Sequence, residues 1–405
     1  MFNFAIVFLF IVKGRVEGFH VPLRDGEGNG FRVASFVKLA QSSGVADTAT
    51  DTPIPNTKKA KVTSLGLLTF DLDDTLYPIA EVIDAANTAF VTTMEKFGYS
   101  GLTPTDIVET GKLIREEIAA EDPQAAAVLT HTEIRELAIR REMENIMLDK
   151  KLKETADDWA TPVSNLADVV VAHAKKWSRT AVSPPIVNAV LTAWEMERHH
   201  AAERLLYPEV LDGLKQIKAE HPDVVIGAVT DGRANPMFMT FTLAPLFDFC
   251  MSWEDDQGGR RKFFQELSSV EGDAQLSWIY DAAYEKYKNL RAQMDAIDAI
   301  SPQPKKDSDE DDRVWIHVGD DLAYDVGGSS KSGAKTILVE LAEKYKQTAR
   351  HRFDGTMPQP SWSTNLSKEL EKRQVMNEKA EAMVDKKIAF LTQLPEAINE
   401  ILADA

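Results

Sequence analysis

The chain of 405 residues contains a single cysteine, Cys250, and fewer basic than acidic residues. One cysteine excludes an internal disulfide, a cysteine-based zinc site and an iron–sulfur cluster. The 46 Lys and Arg residues are outnumbered by 64 Asp and Glu residues, which gives a net charge of −18. Because such a chain repels nucleic-acid phosphates and anionic lipids, we expect neither as a partner.

A long apolar run is also missing. The apolar stretch at residues 2–12 is shorter than the roughly 20 residues that cross a bilayer, so we expect no membrane span in the mature chain. It has the length of a signal-peptide core. The residues that follow, up to about 62, are rich in Ser, Thr and Gly and show no sustained periodicity. We therefore predict that residues 1–62 are a targeting leader that is disordered or cleaved.

This leader resembles the bipartite plastid presequences of diatoms and related algae, which place an aromatic residue just after the signal cleavage site. Phe19, after Gly18, has that position. The resemblance implies delivery to a secondary plastid, a chloroplast, through a signal followed by a transit segment. Acidic residues such as Asp25 and Glu27 are unusual in transit peptides, so secretion and a cytoplasmic location are the alternatives.

Four apolar runs of strand length predict a parallel sheet: residues 65–70, 224–229, 314–318 and 335–339. Apolar runs without alternation are typical of parallel strands covered by helices on both faces. We predict an α/β fold with a Rossmann-like parallel sheet core. The core comprises residues 63–78 and 206–405.

Residues 79–205, between the first two strands, show helical periodicity without any strand-like run. Ile79, Ile83, Ala86 and Phe90, for example, share one helix face. We predict that this stretch is an inserted all-helical cap domain.

Polar residues end three of the strands abruptly, at the sheet edge where α/β proteins bind ligands. Asp71 and Asp73 follow the first strand, Thr230 the second, and Asp320 the run at 314–318. Two carboxylates so close repel each other unless a cation or a shared proton compensates. A third carboxylate completes an oxygen-ligand set that suits Mg²⁺.

This combination resembles the motifs of the haloacid dehalogenase (HAD) superfamily of phosphatases. Residues 71–78 (DLDDTLYP) are similar to its first motif, Thr230 to its second, and residues 319–325 (GDDLAYD) to its fourth. The resemblance covers residues 65 to about 400, and the helical cap looks somewhat like that of the pyrimidine-nucleotidase-type members. It implies a phosphatase whose partner is a small phosphorylated metabolite, such as a nucleotide or a sugar phosphate. Nothing in the sequence indicates the oligomeric state.

The resemblance also implies roles for the acidic residues. Asp71 attacks phosphorus, while Asp73 first protonates the leaving oxygen and then deprotonates water. The cofactor, Mg²⁺, is held by Asp71, Asp320 and the carbonyl of Asp73. Asp321 and Asp325 orient the groups around the metal.

The phosphate-binding residues depart from the family pattern. Thr230 and a third-motif cation are expected to bind the transferring oxygens, and Gly232 lies at the same site. Asp231 stands where the family has Asn. The third motif lacks its usual proline, so we predict Lys262 as its cation, with Arg261 as the alternative. Residues 342–384 match no motif.

The same residues bear on three alternatives to a phosphatase. Asp73 argues against dehalogenation, because a halide leaves without a proton. A phosphomutase of the same superfamily is an alternative to the phosphatase. Asp231 and the irregular third motif also leave open a catalytically silent phosphate-binding scaffold.

Overall fold

The computed structural model describes residues 11–12, 15–16, 63–255, 278–300, 313–345, 347, 363 and 367–405. Contacts divide the chain into two units, Met1–Lys59 and Ala60–Ala405. In the first unit the described residues form two short antiparallel strands, Ile11–Val12 and Arg15–Val16. The rest of the predicted leader lies outside the described residues.

The second unit contains a six-stranded parallel sheet in the order β3-β2-β1-β4-β5-β6. In chain order the strands are β1 (Ser64–Phe70), β2 (Val225–Thr230), β3 (Phe249–Ser252), β4 (Arg313–Gly319), β5 (Lys335–Val339) and β6 (Lys386–Ile388). The predicted α/β fold and all four predicted strands are confirmed. The sequence did not reveal β3 and β6, because runs of four and three residues are too short for a periodicity.

Six α-helices occupy most of residues 79–205, together with a 3₁₀ turn at Val163–Asn165, and no strand interrupts them. They are α1 (Ile79–Lys96), α2 (Pro104–Glu121), α3 (Pro123–Val128), α4 (His131–Asp158), α5 (Asp168–Ala181) and α6 (Pro184–Arg204). Their buried apolar side chains, including Phe90, Ile139 and Trp194, form a cluster separate from the sheet core. Thr130 begins α4 with a capping box, in which its hydroxyl accepts from the Glu133 amide and the Glu133 carboxylate accepts from the Thr130 amide. The inserted all-helical segment of the predicted fold is therefore present, while its boundaries as a separate domain stay a prediction.

The remaining α-helices lie outside the insertion. They are α7 (Val210–Glu220), α8 (Trp278–Ile300), α9 (Ser329–Lys331), α10 (Ala342–Tyr345), α11 (Ser367–Ala380) and α12 (Leu394–Asp404), with a π-helical turn at Leu322–Gly328. Leu68 of β1 shares one apolar cluster with Leu214 of α7 and Ile398 of α12. Leu67 faces the other side and clusters with Tyr280 of α8. Covering on both faces explains why β1 is apolar throughout.

Among the residues that the structure describes, none of the helices combines the length and the hydropathy that a bilayer crossing requires.

Candidate active site

The sheet register brings the predicted strand-end residues together at one edge. Phe70 of β1 pairs with Ala228 of β2 and with Val318 of β4. Asp71 lies one residue, and Thr230 and Asp320 two residues, beyond this paired row. The carboxyl ends of the three central strands therefore carry the residues that the sequence selected.

Three carboxylates form a compact group here, which we call the acid cluster: Asp71, Asp320 and Asp325. Each offers an oxygen, and these oxygens all lie within 4.8 Å of one another. The Thr75 hydroxyl donates to Asp320 Oδ1 at 3.2 Å and lies 3.4 Å from Asp71 Oδ2. Thr75 thus connects the acid that follows β1 with the acid that follows β4.

Electrostatics make the acid cluster unfavourable by itself. Burial, followed by the charges of Asp325 and Asp320, raises the pKa of Asp71 well above its usual value. Asp320 and Asp325 are 7% and 5% exposed, so water screens them poorly. A hard divalent cation prefers oxygen ligands and would offset the repulsion. The residues present therefore fit a divalent metal.

Asp325 is fixed by three neighbours. The Tyr280 hydroxyl donates to its Oδ1 at 3.0 Å, and the Asp321 amide donates to its Oδ2 at 2.9 Å. His317 Nε2 lies 3.4 Å from Oδ1. A Cβ atom at Gly319 would lie only 2.1 Å from Asp325 Oδ2, so this close approach of backbone and carboxylate requires glycine.

Asp73 lies outside the acid cluster and is paired with an arginine. Both of its carboxylate oxygens accept from Arg198 Nη2, at 2.9 and 2.6 Å. Arg198 lies near the end of α6, and its side chain is 3% exposed. The helical insertion thus supplies a buried cation to the predicted acid–base residue. Sequence reasoning missed Arg198, because no local pattern connects it to a residue 125 positions away.

Asp74 forms the turn between Asp73 and the helix α1. Its φ of 58° is left-handed, a conformation that aspartate tolerates better than most residues. Its Oδ1 accepts from the Ile79 amide at 3.0 Å and so supports the start of α1.

The second motif lies at the end of β2. Thr230 is buried and Asp231 is exposed. The Gly232 amide donates to Thr230 Oγ1 at 3.5 Å, and the Ser252 hydroxyl of β3 donates to the Gly232 carbonyl at 2.6 Å. Lys262 and Arg261, the two candidates for the third motif, lie outside the described residues.

The segment 342–384, which matched no motif, does contact the motif loops. Arg373 of α11 forms an ion pair with Asp321 Oδ2. Gln347 donates from Nε2 to the carbonyls of Asp74 and Val339, at 2.8 and 3.0 Å. The sequence left the role of this segment open, and the structure brings Arg373 and Gln347 against the loops that carry the motifs. The sequence offered no signal, since both contacts depend on tertiary packing.

The chain resembles known proteins at low sequence identity. No family model matches the chain. An uncharacterized protein of Saccharomyces cerevisiae is 26% identical over 144 residues, which cover 35% of this chain and 40% of that protein. The match thus spans less than half the length of that relative.

Several solved structures resemble the chain at low identity. A 2-haloacid dehalogenase from Pseudomonas syringae is 16% identical, with a TM-score of 0.40, covering 83% of this chain and 99% of that chain. A phosphonoacetaldehyde hydrolase-like protein from Oleispira antarctica is 13% identical (TM-score 0.35; 86% and 97%). A HAD-hydrolase from Bacillus subtilis, bound to magnesium, is also 13% identical (TM-score 0.31; 83% and 99%).

The chain itself has a parallel sheet, a helical insertion directly after β1, and motif residues gathered at one sheet edge. These features confirm the α/β fold with an all-helical insertion that the sequence predicted.

Proposed function

We propose that the chain is a Mg²⁺-dependent phosphatase that hydrolyses a small phosphate ester, with a nucleotide or sugar phosphate as the preferred substrate class. One observation carries this proposal: three carboxylates form the acid cluster, while Asp73 is held apart by Arg198. The arrangement separates two tasks. The acid cluster is suited to a cation, and Asp73, outside that cluster, is the carboxylate that we assign to proton transfer.

In the first proposed step, a carboxylate oxygen of Asp71 bonds to phosphorus as the bond from phosphorus to the ester oxygen breaks. Asp73 gives its proton to the leaving oxygen. In the second step Asp73 takes a proton from water, which attacks phosphorus and releases inorganic phosphate and the Asp71 carboxylate. Thr230 and Lys262 bind the transferring oxygens in this scheme.

Mg²⁺, held by Asp71 and Asp320 with the Asp73 carbonyl, would supply positive charge that offsets the nucleophile and the phosphoryl oxygens. Asp325 lies within the acid cluster and is a further candidate ligand. Asp321, whose amide donates to Asp325 at 2.9 Å, would orient it. A dehalogenase, by contrast, has no step that needs Asp73.

The experiment is phosphate release from a panel of esters, using the full chain with Mg²⁺, with EDTA, and with Asp71→Asn. Asp84→Asn, at an exposed acid of α1, is the matched control. We expect release that EDTA and Asp71→Asn abolish and that Asp84→Asn leaves unchanged. Activity that survives both treatments would contradict the mechanism. No release from any ester would favour a binding scaffold, and an isomerised sugar phosphate would identify a mutase.

We also propose that residues 1–62 direct the chain to a plastid. Support comes from the sequence alone, namely the apolar stretch at 2–12 and Phe19. Sequencing the mature N-terminus is the test. Cleavage near Phe19 and again near residue 60 supports the bipartite leader, whereas an intact N-terminus contradicts it.

A further inference from the structure

The chain between β5 and β6 returns over the loop that follows β4. Its helix α11 packs on the π-helical turn at Leu322–Gly328, where Ala380 joins an apolar cluster with Leu322 and Val326. A Cβ atom at Gly327 would lie 3.2 Å from the Ala380 Cβ. The helix therefore contacts the turn closely, and a side chain on this face of α11 can reach the loop residues.

Arg373 is the side chain that does so. Its Nη2 contacts Asp321 Oδ2, and its guanidinium carbon lies 3.5 Å from the centre of the Tyr324 ring. The Arg373 and Asp321 side chains are only 13% and 16% exposed. A largely buried ion pair that also stacks on an aromatic ring fixes the guanidinium in one orientation.

Asp321 connects this ion pair to the acid cluster. Its Oδ1 accepts from the Tyr324 amide at 2.9 Å, so its carboxylate begins the π-helical turn. Its own amide donates to Asp325 Oδ2 at 2.9 Å. Arg373 is thus two hydrogen-bonded contacts away from a carboxylate of the acid cluster.

Charge gives a reason for this contact. Asp320, Asp321 and Asp325 occur within six residues of one another, and like charges at this spacing repel. An arginine on Asp321 offsets one of the three charges. The other two carboxylates can then face a cation together with Asp71.

We propose that Arg373 is a positioning residue for the metal site: it fixes Asp321, which holds Asp325 in place for a divalent cation. This inference rests on the proposed metal dependence, and it gives a task to a segment outside the recognised motifs. Gln347, from the same segment, donates to the Asp74 carbonyl at 2.8 Å. The segment therefore contacts the loops that follow both β1 and β4.

The test is a titration of the full chain with Mn²⁺ in the absence of substrate. The electron paramagnetic resonance signal of free Mn²⁺ measures how much of the ion is bound. Partners of metal ligands typically contribute 10- to 100-fold to affinity, so we expect Arg373→Met to raise the Kd for Mn²⁺ by about 10-fold or more. Arg373→Lys keeps the charge but loses the planar fork, and its Kd should rise at least about 3-fold. Lys379→Gln, at an exposed position of α11, should bind like the wild type.

A folded Arg373→Met protein with wild-type Mn²⁺ affinity would overturn the proposal. Circular dichroism and thermal unfolding establish that each variant is folded. If Arg373→Met does not fold, the comparison rests on Arg373→Lys, and an unchanged Kd for that variant overturns the proposal as well.

Failure of the wild type to bind Mn²⁺ would remove the metal site, and with it the role of Arg373. Mn²⁺ binding that weakens in the Arg373 variants, without hydrolysis of any ester, would support the positioning role and reject the phosphatase proposal. The two ideas can therefore fail separately.

Discussion

Gly319→Ala is expected to disable the site while leaving the fold in place. The new methyl group would lie 2.1 Å from Asp325 Oδ2, where real Cβ contacts essentially never fall below 3.0 Å. Asp325 or the β4 end must therefore shift by at least about 0.9 Å. Because Asp325 belongs to the acid cluster, this displacement acts directly on the residues proposed to hold the metal.

The magnitude follows from that shift. A misplacement of about 1 Å at a catalytic group can cost about 100-fold in rate, so phosphate release by Gly319→Ala should fall by about that factor. Overpacking a buried site costs about 1–3 kcal/mol, so the free energy of unfolding should fall by a similar amount. Steady-state kinetics with saturating Mg²⁺ and chemical denaturation measure the two effects.

Gly213→Ala is the matched control, because a Cβ atom there has no heavy atom within 4 Å. Gly213 lies inside α7, where alanine is favoured over glycine by about 0.5–1 kcal/mol. This variant should be slightly more stable than the wild type and fully active. If Gly319→Ala keeps wild-type kcat and KM, the argument that the close approach demands glycine is refuted.

Three further changes test other contacts. Arg198→Gln removes the partner of the proposed acid–base residue, Asp73. It should lower kcat by about 100-fold, which is the lower end of what a positioned acid or base contributes. Arg204→Gln, at an exposed position of the same helix, should leave kcat unchanged. Burial, followed by the charge of Arg198, lowers the pKa of His199, whose Nε2 accepts from the Asn235 amide at 3.2 Å. The neutral ring therefore stabilises the fold at pH values above the ordinary histidine pKa of about 6.5, and this stability is lost as the pH falls below that value. Between pH 7 and 5.5 the Tm of the wild type should fall further than the Tm of His199→Gln. Equal slopes of Tm against pH would contradict this prediction. Thr130→Ala removes an N-cap of α4 and should lower the free energy of unfolding by about 1 kcal/mol in chemical denaturation; no loss would show that the cap contributes nothing.

The sequence predicted the sheet core, the helical insertion and the strand-end acids, since each depends on a local pattern. An apolar run that ends in Asp71 or Asp320 indicates both a strand and its carboxyl end. The partners of these acids were not predictable in this way. Arg198 and Arg373 reach their carboxylates from helices 125 and 52 residues away, and only packing of the complete fold brings them there.

The pairing of Asp73 with Arg198 has an evolutionary consequence. The Arg198 side chain is 3% exposed and that of Asp73 is 21% exposed, so loss of Asp73 leaves a buried charge unpaired; in a fully buried ion pair such a loss costs about 3–5 kcal/mol. Either substitution alone is therefore under strong selection, whereas a joint replacement is tolerated far better. Homologues that have lost the acid should have lost the arginine too. The two positions should covary among homologues, although one lies in the sheet-edge loop and the other in a helix of the insertion.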